Sequence, residues 1–117
     1  MTRPKVLVVE DEALLAMTLE DWLEEWDFEV VGPAMNLKTA AELAAGAAID
    51  AAILDVNIGG TPSFEIAKLL EGRGIPYLFA TGYGVAAERG AGAGVRVVQK
   101  PYQSDELREA VAVLLAR

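Results

Sequence analysis

Short apolar runs and amphipathic segments alternate along the chain. Each apolar run is too short for a helix, and the segments that follow favour a helical period. After the first run, for example, Leu15, Leu19 and Trp22 are spaced by four and three positions, which places them on one helical stripe. The predicted strands cover residues 5–9, 28–31, 51–54, 77–80 and 95–98. This pattern predicts five β-then-α units.

Turn and capping residues set the predicted limits of the elements. Asn36, Thr61 and Ser104 are the predicted N-caps of the second, third and last helices. Pro62 would then occupy the first position of the third helix, where a missing N–H costs little. Gly32-Pro33 is predicted to close the second strand. Five glycines interrupt residues 82–94, so the fourth helix is predicted to be short or mobile.

The predicted strands are apolar on both faces, which indicates a parallel sheet covered by helices on both sides. Right-handed crossovers then favour a doubly wound α/β fold, (βα)5, with one five-stranded parallel sheet. A chain of 117 residues suits one domain with one core, so residues 1–117 are predicted to form a single domain. In such sheets, sites form at the carboxyl ends of the strands.

Composition excludes several classes of function. The chain has no cysteine and no histidine, so it cannot form disulfides, thiolate or imidazole metal sites, or a phosphohistidine. No apolar run reaches the roughly 18–20 residues of a membrane span. The N-terminus lacks the apolar segment and cleavage site of a signal peptide. A cytoplasmic protein without a membrane partner is therefore expected.

The charge is strongly negative and unevenly distributed. The formal net charge is −8, and nine of the eighteen acids lie between Glu10 and Glu29, where there is no lysine or arginine. Such a surface repels phosphate backbones, so no nucleic-acid partner is expected. The acidic run is either a solvated helix face or a cation site with a face for partner docking.

Polar residues follow four of the predicted strands at their carboxyl ends. Glu10 and Asp11 follow the first strand, and Asp55 follows the third. Thr81 and Lys100 follow the fourth and fifth strands. Each residue alone has a structural explanation, such as a capping or surface role. Because parallel strands end at one edge of the sheet, we expect these five side chains to converge.

The chemistry of this set points to phosphoryl transfer. Carboxylates without histidine or cysteine suit a hard cation, Mg²⁺ or Mn²⁺. The Lys100 ammonium and the Thr81 hydroxyl suit an incoming phosphoryl group, which needs charge neutralisation and a hydrogen bond. Asp55 would then be the nucleophile and form an acyl phosphate.

Four motifs give the chain a family resemblance. They are "VVEDE", "ILDVN", "FATG" and "QKPY". In this order and spacing, the chain resembles the CheY-like receiver domains of two-component response regulators over nearly its whole length. The resemblance implies a flavodoxin-like sheet with strand order 2-1-3-4-5. The "FATG" signature also resembles a lineage of stand-alone bacterial receivers.

The resemblance also implies roles for the residues at the strand ends. Asp55 would accept phosphate from a histidine kinase or a histidine phosphotransferase. Glu10, Asp11 and Asp55 would hold Mg²⁺ together with one backbone carbonyl, that of Asn57. Thr81 and Lys100 would contact the phosphoryl oxygens, and Thr81 would move on activation. The bond between Lys100 and Pro101 would be cis, as X-Pro bonds can be.

The remaining positions carry expectations for docking and switching. By resemblance, Leu14 and Thr18 lie where the helical domain of a kinase packs. The loop after Asp55 has Gly59-Gly60 in place of the usual proline. Val97 stands where the family usually has the aromatic residue that swings inward on activation. Tyr83 is the candidate to replace that switch residue.

Several functions fit the sequence. The leading one is a single-domain phosphorylation switch, since the chain begins close to the first strand and ends after the last helix. Its output would be binding to a downstream protein, or withdrawal of phosphate from a relay. A receiver cut from a hybrid kinase or a larger regulator is the alternative, and a phosphorylation-independent adaptor is another. A phosphatase that works through an aspartyl phosphate would need a second aspartate as general acid two residues after Asp55, where this chain has Asn57. A flavin or nucleotide binder is disfavoured because the acids of "EDEAL" would repel the phosphate of the ligand unless a metal intervened.

Overall fold

The computed structural model describes residues 2–82 and 95–116. In this part of the chain the strands are β1 (Lys5–Val9), β2 (Glu29–Ala34), β3 (Ala51–Asp55), β4 (Asn57–Ile58), β5 (Thr61–Pro62), β6 (Tyr77–Thr81) and β7 (Arg96–Gln99). The helices are α1 (Ala13–Glu25), α2 (Leu37–Gly46), α3 (Phe64–Gly72) and α4 (Ser104–Leu115). The predicted short fourth helix and the candidate switch residue Tyr83 lie outside the described residues.

Five strands form one parallel sheet in the order β2-β1-β3-β6-β7. When only these five strands are counted along the chain, the order is 2-1-3-4-5, so the predicted fold class is confirmed. The register aligns the carboxyl ends of the strands. Val9 pairs with Leu54, Asp55 with Ala80, and Thr81 with Gln99. The residues that follow these strands therefore meet at one edge.

The sheet buries apolar side chains on both faces. Leu7 and Leu54 point to the face covered by α2 and α3, whereas Val8 and Ile53 point to the face covered by α1 and α4. All four are fully buried, and each such side chain contributes about 1.5–3 kcal/mol. This two-sided burial explains why the strands read as continuous apolar runs. It also gives the carboxyl edge a rigid base.

The third predicted helix start is wrong. Thr61–Pro62 is not the beginning of a helix but strand β5, which pairs antiparallel with β4. The turn between them uses Gly59 and Gly60 at φ +60° and +88°, a region that suits glycine. Helix α3 begins at Phe64 after Ser63. The proline is tolerated in β5 because the strand belongs to a two-stranded ribbon with open edges.

Two other predicted limits need correction, and one is confirmed. Strand β2 continues through Gly32-Pro33 to Ala34, because Gly32 adopts φ +94° there. A Cβ on Gly32 would lie 2.6 Å from the Ala34 nitrogen, so only glycine fits. Ser104 is the first residue of α4 and not its cap. Asn36 does cap α2, since its side chain accepts the Thr39 N–H at 2.8 Å.

Candidate functional site

The lysine after β7 reaches two carboxylates at the carboxyl edge of the sheet. Lys100 Nζ lies 2.8 Å from Glu10 Oε1 and 3.0 Å from Asp55 Oδ2. Glu10 is fully buried and Asp55 nearly so. A buried carboxylate requires compensating charge or hydrogen bonds. The Lys100 ammonium therefore compensates the charge of Glu10, which is the first of the consecutive acids after β1.

Three carboxylates form a cluster beside this lysine. One oxygen from each of Glu10, Asp11 and Asp55 lies within 4.8 Å of the others. Within residues 2–82 and 95–116, this is the one group of three or more acidic side chains close enough to hold a metal ion together. We call this cluster, with Lys100, the acidic pocket. The residues that line its cleft are Glu10, Asp11, Glu12, Asp55, Asn57, Gly60, Gly82 and Lys100. An all-oxygen donor set fits Mg²⁺ or Mn²⁺.

The hairpin β4–β5 shapes one wall of the acidic pocket. The Gly59 N–H donates to Asp11 Oδ2 at 2.8 Å, which holds the exposed Asp11 against the turn. The Asn57 N–H donates to Asp55 Oδ1 at 3.3 Å. Asn57 Oδ1 is buried and has no hydrogen-bond partner among the described residues. Asn57 lines the acidic pocket, and the role of its backbone carbonyl as a cation ligand stays a prediction.

Ser63 is a supporting residue that the sequence reasoning missed. It is fully buried, and its hydroxyl donates to the backbone carbonyl of Asp55. The Ser63 N–H also donates to the Val56 carbonyl at 2.8 Å. Both bonds fix the chain where it leaves β3, so they orient the Asp55 side chain. Ser63 occupies the N-cap position of α3, but its side chain makes no capping hydrogen bond, so a capping signal in the sequence would not have revealed this contact.

The surroundings of Asp55 raise its pKa when no cation is bound. Burial raises the pKa of Asp55 from 3.8 to about 6, with a further rise from Glu10 and an opposing effect of the Lys100 hydrogen bond. Burial alone would lower the pKa of Lys100, but its hydrogen bonds to Glu10 and Asp55 raise it. Lys100 therefore stays charged at neutral pH, and Asp55, with a pKa of about 6, is mostly ionised there.

This raised pKa predicts a pH dependence of the metal-free protein. Because the folded protein holds the Asp55 proton more tightly than the unfolded chain, the stabilisation is full below pH 3.8 and is lost as pH rises through about 6. In chelator, the free energy of unfolding should therefore fall by about 2–3 kcal/mol between pH 4 and 8 from this group. Denaturant unfolding across that range measures it, and Asp55→Asn is the control. An equal fall in Asp55→Asn would assign the effect to other groups.

The other predicted site residues lie nearby. Thr81 ends β6 and is fully buried, and its carbonyl accepts the Lys100 N–H at 2.9 Å. The Lys100–Pro101 peptide bond is cis. Leu14 is 75% exposed on α1, and Thr18 donates its hydroxyl hydrogen to the Leu14 carbonyl at 3.0 Å. Leu14 thus stands free on the helix that begins beside the acidic pocket.

Tyr102 also contacts the acidic pocket and was not predicted to do so. Its hydroxyl donates to Glu10 Oε1 at 3.1 Å, and its ring is buried. Burial, with Glu10 beside it, raises the pKa of Tyr102, so the phenol remains a donor. The available signal was its position directly after Lys100-Pro101. The sequence alone could not show that the ring turns inward.

Comparison with known proteins agrees with this geometry. The sequence profile of the response regulator receiver domain matches residues 6–112. The chain belongs to the response regulator receiver domain family. Receiver domains take phosphoryl groups from histidine kinases or phosphotransferases, and they bind Mg²⁺ at an acidic pocket. They are in general phosphoacceptor domains and not enzymes.

Individual relatives cover almost the whole chain. It is 32% identical to the transcriptional regulatory protein PdtaR of Mycobacterium tuberculosis in an alignment of 118 positions, which covers 97% of this chain and 57% of PdtaR. The chain thus spans little more than half of that relative. SdrG of Sphingomonas melonis Fr1 is 42% identical with a TM-score of 0.77, covering 97% of both chains. The receiver domain of the Erythrobacter litoralis response regulator PhyR is 25% identical with a TM-score of 0.88, covering 99% of this chain and 92% of that one.

Within the described ranges, no helix combines the length and the apolar content of a membrane-spanning segment.

Proposed function

We propose that this chain is a single-domain response regulator that accepts a phosphoryl group on Asp55 from a phosphohistidine partner in the cytoplasm. The observation that carries the proposal is the Lys100 ammonium between two buried carboxylates, 2.8 Å from Glu10 and 3.0 Å from Asp55. A buried carboxylate beside a lysine and further acids is the arrangement that phosphoryl transfer to a carboxylate requires.

The proposed chemistry needs few protein groups. An Asp55 carboxylate oxygen attacks phosphorus, the new O–P bond forms, and the P–N bond to the donor imidazole breaks. Lys100 passes from Asp55 to a phosphoryl oxygen and neutralises charge there, while the Thr81 hydroxyl donates a hydrogen bond. Mg²⁺, when bound, would neutralise charge on the phosphoryl oxygens. The residues proposed to hold it are Glu10, Asp11, Asp55 and, through its backbone carbonyl, Asn57.

The proposed output is a protein partner, or withdrawal of phosphate from a relay. We propose that residues 1–117 act as one receiver domain. A second candidate is a receiver within a larger regulator. The match to PdtaR supports that candidate, because this chain aligns with only 57% of that relative. Both candidates share the same reaction at Asp55.

The experiment is phosphorylation by a small donor. The protein is incubated with acetyl phosphate, with Mg²⁺ or with chelator, and its intact mass is measured. We expect one added phosphoryl group with Mg²⁺, and none in chelator or in Asp55→Asn. Asp50→Asn is the matched control, because Asp50 is an exposed aspartate at the opposite end of β3. Equal phosphorylation of Asp55→Asn and wild type would overturn the proposal.

Partner docking gives a separate prediction. Leu14 is 75% exposed on α1, so Leu14→Asp should not disturb the core. We expect about a tenfold slower transfer from a phosphorylated histidine phosphotransfer protein that serves the wild-type chain. Phosphorylation by acetyl phosphate should be unchanged. Val113→Asp, at a 51% exposed position of α4, is the control, and equal slowing by both substitutions would argue against a specific role of Leu14.

A further inference from the structure

In the described part of the chain, three hydrogen-bond donors contact the Glu10 carboxylate. Oε1 accepts from Lys100 Nζ at 2.8 Å and from the Tyr102 hydroxyl at 3.1 Å. Oε2 accepts from the Glu12 N–H at 3.2 Å. Each carboxylate oxygen has about two lone-pair sites. Among residues 2–82 and 95–116, two donors fill Oε1 and one contacts Oε2, so these residues leave one acceptor site of Oε2 unfilled.

The three donors do not contribute equally to the orientation of Glu10. The Lys100 ammonium is shared with Asp55, and in the proposed reaction it follows the phosphoryl group. The Glu12 N–H holds only Oε2. The Tyr102 hydroxyl is the neutral donor on Oε1, and it has no role in the reaction. It can hold Glu10 both before and after Lys100 has moved.

Tyr102 is built as a rigid support. It is 8% exposed and packs in the core cluster between the sheet and helices α1 and α4. Its ring centroid lies 5.9 Å from Lys100 Nζ. A tyrosine has two side-chain torsions and loses little entropy in such a position. Its hydroxyl is therefore fixed relative to β1, where Glu10 begins the loop.

We infer that Tyr102 is a positioning residue that sets which oxygen of Glu10 faces the divalent cation. The inference rests on the proposed function, because it takes Glu10 to be a cation ligand. The Tyr102 hydroxyl and Lys100 both contact Oε1, which leaves Oε2 as the oxygen that we propose for the cation. Groups that orient a ligand in this way change metal affinity by about 10–100-fold when removed.

The test is Mg²⁺ binding to the unphosphorylated protein, measured by calorimetric titration. Tyr102→Phe removes one oxygen and keeps the ring. We expect its Mg²⁺ dissociation constant to rise by about 10–100-fold. The Mg²⁺ concentration for half-maximal phosphorylation by acetyl phosphate should rise in parallel, and the rate at saturating Mg²⁺ should change much less. A substitution that only damaged the fold would also lower the phosphorylation rate at saturating Mg²⁺. A change in Mg²⁺ affinity without a similar change in that rate therefore indicates a positioning role.

The chain offers a matched control for this variant. Tyr77 is also a buried tyrosine whose hydroxyl donates to a carboxylate, that of Glu71, but it lies at the opposite end of the sheet. Tyr77→Phe removes the same chemical group and should leave Mg²⁺ binding unchanged. Wild-type affinity in Tyr102→Phe, or an equal loss of affinity in Tyr77→Phe, would overturn the inference.

A double-mutant cycle shows whether Tyr102 acts through Glu10. In a Glu10→Gln background, Tyr102→Phe should cause no further loss of Mg²⁺ affinity. Circular dichroism at the working temperature verifies that all four proteins of the cycle are folded, and a further loss of affinity in the Glu10→Gln background would overturn the inference. If wild type binds Mg²⁺ but gains no phosphate on Asp55, the proposed function fails independently of these affinities.

Discussion

Lys100→Met should reduce the free energy of unfolding by about 3–5 kcal/mol in metal-free buffer at pH 8. This is the range observed when one partner of a buried ion pair is removed. The side chain of Lys100 is 18% exposed, and those of Glu10 and Asp55 are 0% and 9% exposed. Without the ammonium, two carboxylates would face each other with little solvent to screen them.

The same variant should bind Mg²⁺ at least tenfold more tightly than wild type. A bound cation would share the acidic pocket with the ammonium, and their repulsion would amount to several kcal/mol at such short range. Saturating Mg²⁺ should therefore restore much of the lost stability. Denaturant unfolding with and without Mg²⁺ measures both effects.

The control for Lys100→Met is Lys68→Met. Lys68 forms an exposed ion pair with Glu65 at 3.4 Å, with side chains 72% and 83% exposed. Such pairs contribute about 0–1 kcal/mol, so Lys68→Met should be nearly neutral and insensitive to Mg²⁺. A loss of stability in Lys100→Met that Mg²⁺ leaves untouched would show that the lysine has only a packing role.

Asp11→Ala should remove most of the stabilisation that Mg²⁺ confers on wild type. A ligand at a concentration 100 times its dissociation constant stabilises the folded state by about 2.7 kcal/mol. Asp11 is the exposed carboxylate of the cluster, and we expect its loss to remove most of this increment. In metal-free protein the change should be small, because relief of repulsion is offset by loss of the 2.8 Å hydrogen bond from Gly59.

Asp50→Ala is the matched control for Asp11→Ala. Asp50 is also exposed and also accepts one backbone N–H, that of Lys5 at 2.7 Å. It lies at the amino end of β3, away from the acidic pocket. Thermal unfolding with increasing Mg²⁺ should show a normal response in Asp50→Ala. A normal response in Asp11→Ala as well would remove Asp11 from the cation site.

The sheet and the edge that carries the site were predictable because they depend on patterns along the chain. Continuous apolar runs fixed the strands, and parallel strands bring their carboxyl ends together. The polar residues after those runs, Glu10, Asp55 and Lys100, could therefore be placed at one edge. Side-chain packing was not needed for that step.

Local geometry was predicted less well where one sequence suits two structures. Thr61–Pro62 fits a helix start as well as a short strand. It forms a strand because β5 pairs with β4 across the Gly59-Gly60 turn. A Gly-Pro pair such as Gly32-Pro33 normally ends a strand. Here β2 continues to Ala34, because the Ala34 carbonyl accepts the Glu10 N–H at 3.0 Å. Both outcomes depend on partners distant in sequence.

The supporting contacts of the site could not be predicted because they depend on the direction of side chains. Tyr102 and Ser63 are ordinary residues in their segments. Only the folded chain shows that the Tyr102 hydroxyl reaches Glu10 and that the Ser63 hydroxyl reaches the Asp55 carbonyl. Such residues become recognisable once the backbone is placed.

The central claim is that Asp55 carries the phosphoryl group, and chemical trapping of the acyl phosphate tests it most directly. Protein incubated with acetyl phosphate and Mg²⁺ is reduced with borohydride, which converts an aspartyl phosphate to homoserine, and the peptides are sequenced by mass spectrometry. The account predicts homoserine at position 55, dependent on Mg²⁺. Homoserine at position 11, or at position 55 to the same extent in chelator, would contradict it.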